Sequence, residues 1–216
     1  MLVPMIKVCP SIFAGDFGKL AEEAKRCELA GADAIHFDIM DGHFVRNLSL
    51  SPKGLAAVNR ATDLFMDVHI MVYNPFDYIE ELIRSGADQI TFHMEATENV
   101  AETLDFIRKC GIKAGLAYCP ETSYSLIPKY LDKIDTLLLM TVNPGWGGQG
   151  FIEDVLDKIK FARKTIDDLG LKVDIQVDGG INAETAKLCK AAGANNLVAG
   201  TYLFEGDMAA KIQGLR

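Results

Sequence analysis

At 216 residues, 49% of them hydrophobic, the chain can bury a substantial core, and residues 1–216 read as one domain. A formal net charge of −8 and no Lys/Arg run longer than a pair exclude nucleic acid and an anionic membrane surface as partners. No apolar run approaches membrane-spanning length, and the start of the chain lacks the long apolar stretch of a signal peptide. The cysteines Cys9, Cys27, Cys110, Cys119 and Cys189 are odd in number and include no C-x-x-C pair. They read as reduced thiols of a cytoplasmic protein, neither a disulfide frame nor a thiolate zinc site.

In chain order, short apolar runs at 6–12, 34–41, 65–72, 89–96, 113–119, 136–142, 174–178 and 196–201 read as strands. The segments between them place apolar residues on one face of a helix, as in Leu20-Ala21-Glu22-Glu23-Ala24-Lys25-Arg26 and Val155-Leu156-Asp157-Lys158-Ile159-Lys160-Phe161. Gly31, Gly86, Gly111 and Gly193 stand where left-handed helix terminators are expected. This alternation permits a closed (β/α)8 TIM barrel or an open doubly wound sheet. The barrel is favoured. Pro10-Ser11-Ile12-Phe13-Ala14-Gly15 stands where a G-x-G-x-x-G would follow the first strand, the units are near-uniform in length, and polar residues gather at the C-terminal strand ends.

The second strand ends in His36-Phe37-Asp38-Ile39-Met40-Asp41-Gly42, so His36, Asp38 and Met40 share one face. The third ends in Asp67-Val68-His69-Ile70-Met71 and the seventh in Gln176-Val177-Asp178-Gly179-Gly180. One strand histidine alone is most simply a core imidazole bonded to backbone. Four candidate ligands at equivalent rim positions, His36, Asp38, His69 and Asp178, point instead to a single divalent metal. Buried aspartates need a counter-charge, and no Lys or Arg lies in these strand ends. The nitrogen and oxygen donor set suits Zn²⁺, Fe²⁺, Mn²⁺ or Co²⁺ alike. His43, beyond Gly42, and His93, with Glu95 after it, read as supporting or structural groups.

Two such carboxylates can also move protons. If Asp38 and Asp178 face opposite sides of a substrate carbon, one removes a proton and the other returns one from the far face. The stereocentre inverts, and the metal stabilises the enediolate between the two steps. Met40, Met71 and Met140 at strand ends are ordinary core packing on their own. Beside these ligands they could form a polarizable, water-poor cover over the intermediate.

Three glycine-bearing segments follow strands six, seven and eight: Asn143-Pro144-Gly145-Trp146-Gly147-Gly148-Gln149-Gly150, Asp178-Gly179-Gly180-Ile181-Asn182, and Gly200-Thr201. Bare glycine loops let backbone N–H groups approach an anion, and barrels commonly hold phosphate at this end. The first loop is long enough to act as a lid, with Trp146 and Phe151 as its apolar contacts.

Taken together, Pro10-Ser11-Ile12, the segment from His36 to Val45, Val68-His69-Ile70-Met71-Val72, Met140-Thr141-Val142-Asn143-Pro144-Gly145 and Val177-Asp178-Gly179-Gly180-Ile181 resemble the signatures of the ribulose-phosphate 3-epimerases. The resemblance runs in order along essentially the whole chain. It implies His36, Asp38, His69 and Asp178 as ligands of one metal ion, with Asp38 accepting the proton and Asp178 donating it. Ser11 and His69 would contact the sugar. Gly145, Trp146, Gly147, Gly148, Asp178, Gly179, Gly180, Gly200 and Thr201 would complete the substrate site toward the phosphate. The implied partner is a small phosphorylated ketose, and the chain could assemble as a homo-oligomer.

Several residues depart from the family pattern. Arg46 stands where proline precedes Asn47, Trp146 replaces Phe, Cys119 replaces Asn before Pro120, and Thr201-Tyr202 differ after Gly200. Leu48-Ser49-Leu50-Ser51-Pro52 is closer to the related allulose-6-phosphate 3-epimerases. None of these touches the ligand set. The expected reaction is therefore interconversion of D-ribulose 5-phosphate and D-xylulose 5-phosphate, with D-allulose 6-phosphate as the rival substrate. The metal-independent decarboxylase or aldolase branch of phosphate-binding barrels is disfavoured, because its third-strand lysine is missing here. A non-catalytic sugar-phosphate binder ranks last, since no ligand or carboxylate is lost.

Overall fold

Alternation along the strands sets the architecture, because both faces of each strand must be buried. The computed structural model describes residues 5–216. Its strands are β1 (Lys7–Pro10), β2 (Ala34–Met40), β3 (Phe65–Met71), β4 (Gln89–His93), β5 (Lys113–Tyr118), β6 (Thr136–Met140), β7 (Asp174–Asp178) and β8 (Asn196–Ala199). They form one eight-stranded parallel sheet in the order β1-β8-β7-β6-β5-β4-β3-β2. A single parallel bridge between Ser11 and His36 joins β1 to β2. The result is a nearly closed (β/α)8 barrel.

The helices are α1 (Leu20–Leu29), α2 (Pro52–Asn59), α3 (Ile79–Arg84), α4 (Val100–Lys109), α5 (Val155–Asp168), α6 (Ala183–Ala192), α7 (Thr201–Phe204) and α8 (Met208–Leu215). Outward strand residues such as Ile35, Phe37, Val68 and Ile90 pack with Leu55, Leu82 and Ile107 of the helices in the main apolar core. The connection from β5 to β6 departs from the helical expectation and runs as 3-10 turns over Tyr124–Lys133. Pro128 lies inside it and cannot donate the backbone bond that an α-helix interior requires. The four expected terminator glycines, Gly31, Gly86, Gly111 and Gly193, all have positive φ, from 80° to 115°.

Inside the barrel the residues are largely polar. His36, Asp38, Asp67, His69, Thr91, His93 and Gln176 are buried there. At the N-terminal end of the strands, Lys7 Nζ pairs with Asp174 Oδ2 at 2.6 Å. At the other end the strands stop earlier than their apolar runs suggest. β1 ends at Pro10 and gives way to a 3-10 turn at Ile12–Ala14, β4 ends at His93 before a turn at Met94–Ala96, and Thr201 opens α7. All five cysteines are unpaired, and only Cys110 is exposed.

Candidate active site

The C-terminal rim opens into a cavity of about 710 Å³ lined by Ser11, Asp38, Met40, Met71, Met140 and Asp178. The glycines Gly145, Gly147, Gly148, Gly179, Gly180 and Gly200 line it too, with Trp146, Thr201 and Tyr202. His36 and His69 lie fully buried. Ligand atoms of His36, Asp38, His69 and Asp178 all fall within 4.8 Å of one another. Strand register explains part of this convergence. β2 and β3 pair so that Asp38 sits beside His69 and His36 beside Asp67, while barrel curvature brings Asp178 across from β7.

Within the cluster, His69 Nδ1 lies 3.1 Å and His36 Nε2 3.4 Å from Asp38 Oδ1, and His36 Nε2 is 3.9 Å from Asp178 Oδ2. The Ser11 hydroxyl donates to Asp38 Oδ2 at 2.6 Å. His36 Nδ1 donates to Asp67 Oδ2 at 2.8 Å, which leaves the lone pair of Nε2 turned toward Asp38 and Asp178. That nitrogen is buried and has no hydrogen-bond partner among the described residues.

The charges reinforce this arrangement. Burial by itself raises the Asp38 carboxyl, but the imidazoles of His36 and His69 outweigh it and hold the group well below the usual carboxylate range. Burial and the neighbouring Asp38 push Asp178 the other way, upward. Without a cation at Nε2, burial disfavours a charged His36, yet Asp38 and Asp67 prevail and lift its pKa well above the ordinary value, so a proton would hold the place on Nε2 that a metal would otherwise take. Three carboxylates therefore crowd two imidazoles, and the site calls for a cation at His36 Nε2. A divalent metal fits that donor set and that orphaned nitrogen. His36, Asp38, His69 and Asp178 are the residues that would hold it.

The roles of some supporting residues emerge only from their partners in the fold. Asp67 accepts from Gln89 Nε2 at 2.7 Å and from Gln176 Nε2 at 2.6 Å in addition to His36. Burial raises Asp67, but His36 and the two amides hold it below the usual range. Its signal was its place two residues before His69 on the same strand face. In the lid loop, Gln149 Nε2 donates to the carbonyls of Asn143 and Trp146 at 2.6 and 2.8 Å, and Asn47 Nδ2 donates to the Gly145 carbonyl at 2.8 Å. Trp146 itself is 60% exposed at the mouth. His43 is exposed and bonded to its own turn, away from the cluster. His93, by contrast, stands against His69.

A parallel eight-stranded barrel with its acids and imidazoles gathered at the C-terminal rim, facing one cavity, defines a (β/α)8-barrel enzyme. The model of the ribulose-phosphate 3-epimerase family matches residues 7–204. A ribulose-phosphate 3-epimerase from Chlamydia pneumoniae is 52% identical over 204 residues, covering 94% of this chain and 89% of that protein. One from Bacillus subtilis (strain 168) is 47% identical over 201 residues, covering 93% of each. The chain belongs to the ribulose-phosphate 3-epimerase family. Among solved structures, a mutant tryptophan synthase alpha-subunit from Pyrococcus furiosus superposes with a TM-score of 0.71 at 18% identity, covering 99% of this chain and 98% of that one. At that identity the likeness is one of fold. No helix among the described residues is long and apolar enough to cross a membrane.

Proposed function

We propose that this enzyme inverts C3 of D-ribulose 5-phosphate to give D-xylulose 5-phosphate, using Asp38 and Asp178 as the two proton-transfer groups beside a divalent metal. The observation that carries this reading is the pair of carboxylates itself. They come from β2 and β7, with β8 and β1 between, line one cavity, and are driven to opposite sides of the ordinary carboxylate range. Groups split in this way suit an acid and a base acting together.

When bound, the ion would supply positive charge that stabilises developing negative charge on the substrate oxygens. Asp38, ionised and oriented by the Ser11 hydroxyl, takes the C3 proton of the ribulose sugar. Asp178 returns a proton to the other face. In the reverse direction the two exchange roles. Met40, Met71 and Met140 limit water around the enediolate, and backbone N–H groups of the glycine loops, with the Thr201 hydroxyl, receive the phosphate. Leu48, Ser49, Leu50 and Ser51 are not among the cavity residues, so their departure from the pentulose pattern leaves the pentose reading in place. We place the enzyme in the cytoplasm.

Asp178→Asn tests the mechanism. The amide keeps the shape of the side chain but cannot donate an acidic proton. Turnover should fall by about 10²–10⁴, while solvent exchange of the ribulose C3 proton through Asp38 persists. Retention of more than about a tenth of kcat would rule out the two-base scheme. Steady-state kinetics with D-allulose 6-phosphate alongside the pentulose would settle the sugar.

A further inference from the structure

We propose that Glu95, acting through His93, fixes the tautomer of His69 so that Nδ1 faces the metal position without a proton. Glu95 and His93 would then be positioning residues for the metal centre, an inference that rests on the metal reading above.

His93 Nε2 lies 3.0 Å from His69 Nε2, and His93 Nδ1 lies 3.2 Å from Glu95 Oε2. Both rings are fully buried, and these nitrogens face each other and Glu95 rather than bulk solvent. Glu95 Oε1 is occupied separately, accepting from the Cys119 backbone N–H at 2.9 Å and from the Thr122 hydroxyl. A neutral imidazole carries one N–H. When His69 Nδ1 gives its lone pair to a cation, the His69 proton must sit on Nε2 and point at His93 Nε2. His93 Nε2 accepts it, so the His93 proton sits on Nδ1 and is donated to Glu95. The polarity runs one way along the chain and must end on a group that only accepts. Glu95 is that terminus. His36 reaches the same end in one step through Asp67.

The isosteric change Glu95→Gln reverses the logic. The Cys119 N–H is fixed and needs an acceptor, so the new amide oxygen takes the Oε1 position. Its NH₂ then faces His93 Nδ1, which must accept. The His93 proton moves to Nε2, His69 Nε2 must accept in turn, and the His69 proton lands on Nδ1, where the metal would bind.

His93, Glu95 and Cys119 could also be read as a second ion site, since Cys119 Sγ is 3.5 Å from His93 Nδ1. An ion there would take the nitrogen that the relay needs as a donor, so the two arrangements exclude each other. Lys158 Nζ, bonded to the Cys119 and Pro120 carbonyls at 2.8 and 2.9 Å, already brings positive charge to that spot. The relay is favoured.

The test is zinc affinity by chelator competition for the wild-type chain and Glu95→Gln, with ¹⁵N-histidine spectra of the zinc-loaded wild type. The wild type should bind one equivalent and show the His93 proton on Nδ1. Glu95→Gln should bind zinc about 10–100-fold more weakly. Its metal-free form should melt with the metal-free wild type, which a merely structural role would not allow. Wild-type zinc affinity in Glu95→Gln, a His93 proton on Nε2 in the loaded wild type, or a second equivalent lost on Cys119→Ser would each overturn the relay. The spectrum needs no variant and so stands even if Glu95→Gln misfolds. Failure of the metal reading looks different: the wild type takes up no zinc, or His36→Ala keeps it, and the relay then falls with the site.

Discussion

Asp67 sits one step below the rim and decides what the rim can bind. Its two oxygens accept from His36, Gln89 and Gln176, and the Thr136 hydroxyl donates to Gln89 Oε1 to hold that amide in place. Asp67→Asn would turn an N–H₂ donor against this ring of donors, and it would withdraw the negative charge that favours a cation on His36. The expected cost is about 1–3 kcal/mol of stability for a buried group left unsatisfied. Metal affinity should fall about 10–100-fold, as for other partners of a ligating histidine. Urea unfolding of the metal-free protein measures the first effect and chelator competition the second; wild-type behaviour in both would deny Asp67 any supporting role. The contrast with the ligands explains what the sequence could reveal. His36, Asp38, His69 and Asp178 were legible because a period of two puts metal-type side chains on one face near strand ends. Asp67 stood in the same pattern, but its function depends on pairing His36 with Asp67 across β2 and β3, and strand register is not written in either segment alone.

The loops that follow β6, β7 and β8 differ in how much freedom their glycines have. Gly179 has φ +120°, and a Cβ there would lie 2.4 Å from Val142 Cγ2. Its substitution would distort the β7 end that carries Asp178, so it is a poor probe of phosphate binding. Gly200 has no positive φ, and a Cβ would meet only Ala14 Cβ at 3.2 Å and Ser11 Cβ at 3.9 Å. A Cβ at Gly147 meets nothing within 4 Å. Gly147→Ala should therefore fold normally with full metal content, and Gly200→Ala should keep its metal at the cost of a small shift at Ala14 and some backbone strain, since Gly200 sits at φ −99° and ψ −104°. If the phosphate docks on these loops, Gly200→Ala should raise KM for the sugar phosphate with kcat little changed, the sign of lost uniform binding. Gly179→Ala should instead lower the melting temperature. An unchanged KM in Gly200→Ala would move the phosphate elsewhere. Strand positions were legible at this scale, but strand ends were not. The strands expected at 6–12, 89–96 and 196–201 stop at Pro10, His93 and Ala199, where the chain turns into the segments that begin at Ile12, Met94 and Thr201. Where a strand stops at the rim is decided by neighbours across the barrel, which the local pattern does not contain.

The barrel as a whole has one weak join. Among the described residues, seven neighbouring strand pairs share continuous ladders, whereas β1 and β2 share no ladder and meet through the Ser11–His36 bridge and the hydrogen bonds between Val8 and Asp33 just before β2. Strand alternation made a barrel legible in the sequence, but where its closure would be thinnest depends on side-chain packing between distant segments. The proposed metal ligands straddle that join, with His36, Asp38 and His69 on β2 and β3 and Asp178 on β7, beyond β1 and β8. The Ser11 hydroxyl bond to Asp38 Oδ2 crosses the same seam. An ion held by all four ligands would exist only in the closed barrel and so stabilise it against opening. At a free metal concentration of about 1,000 times Kd the linkage amounts to about 4 kcal/mol. For a chain of this length that corresponds to a rise in Tm of roughly 8–16 °C over the chelated protein. Hydrogen exchange should locate the gain: on chelation, amides of β1 and β2 should lose protection before those of β4, β5 and β6, which no ligand touches. Equal melting temperatures with stoichiometric metal bound, or protection lost evenly around the barrel, would show that the ion does not hold the seam.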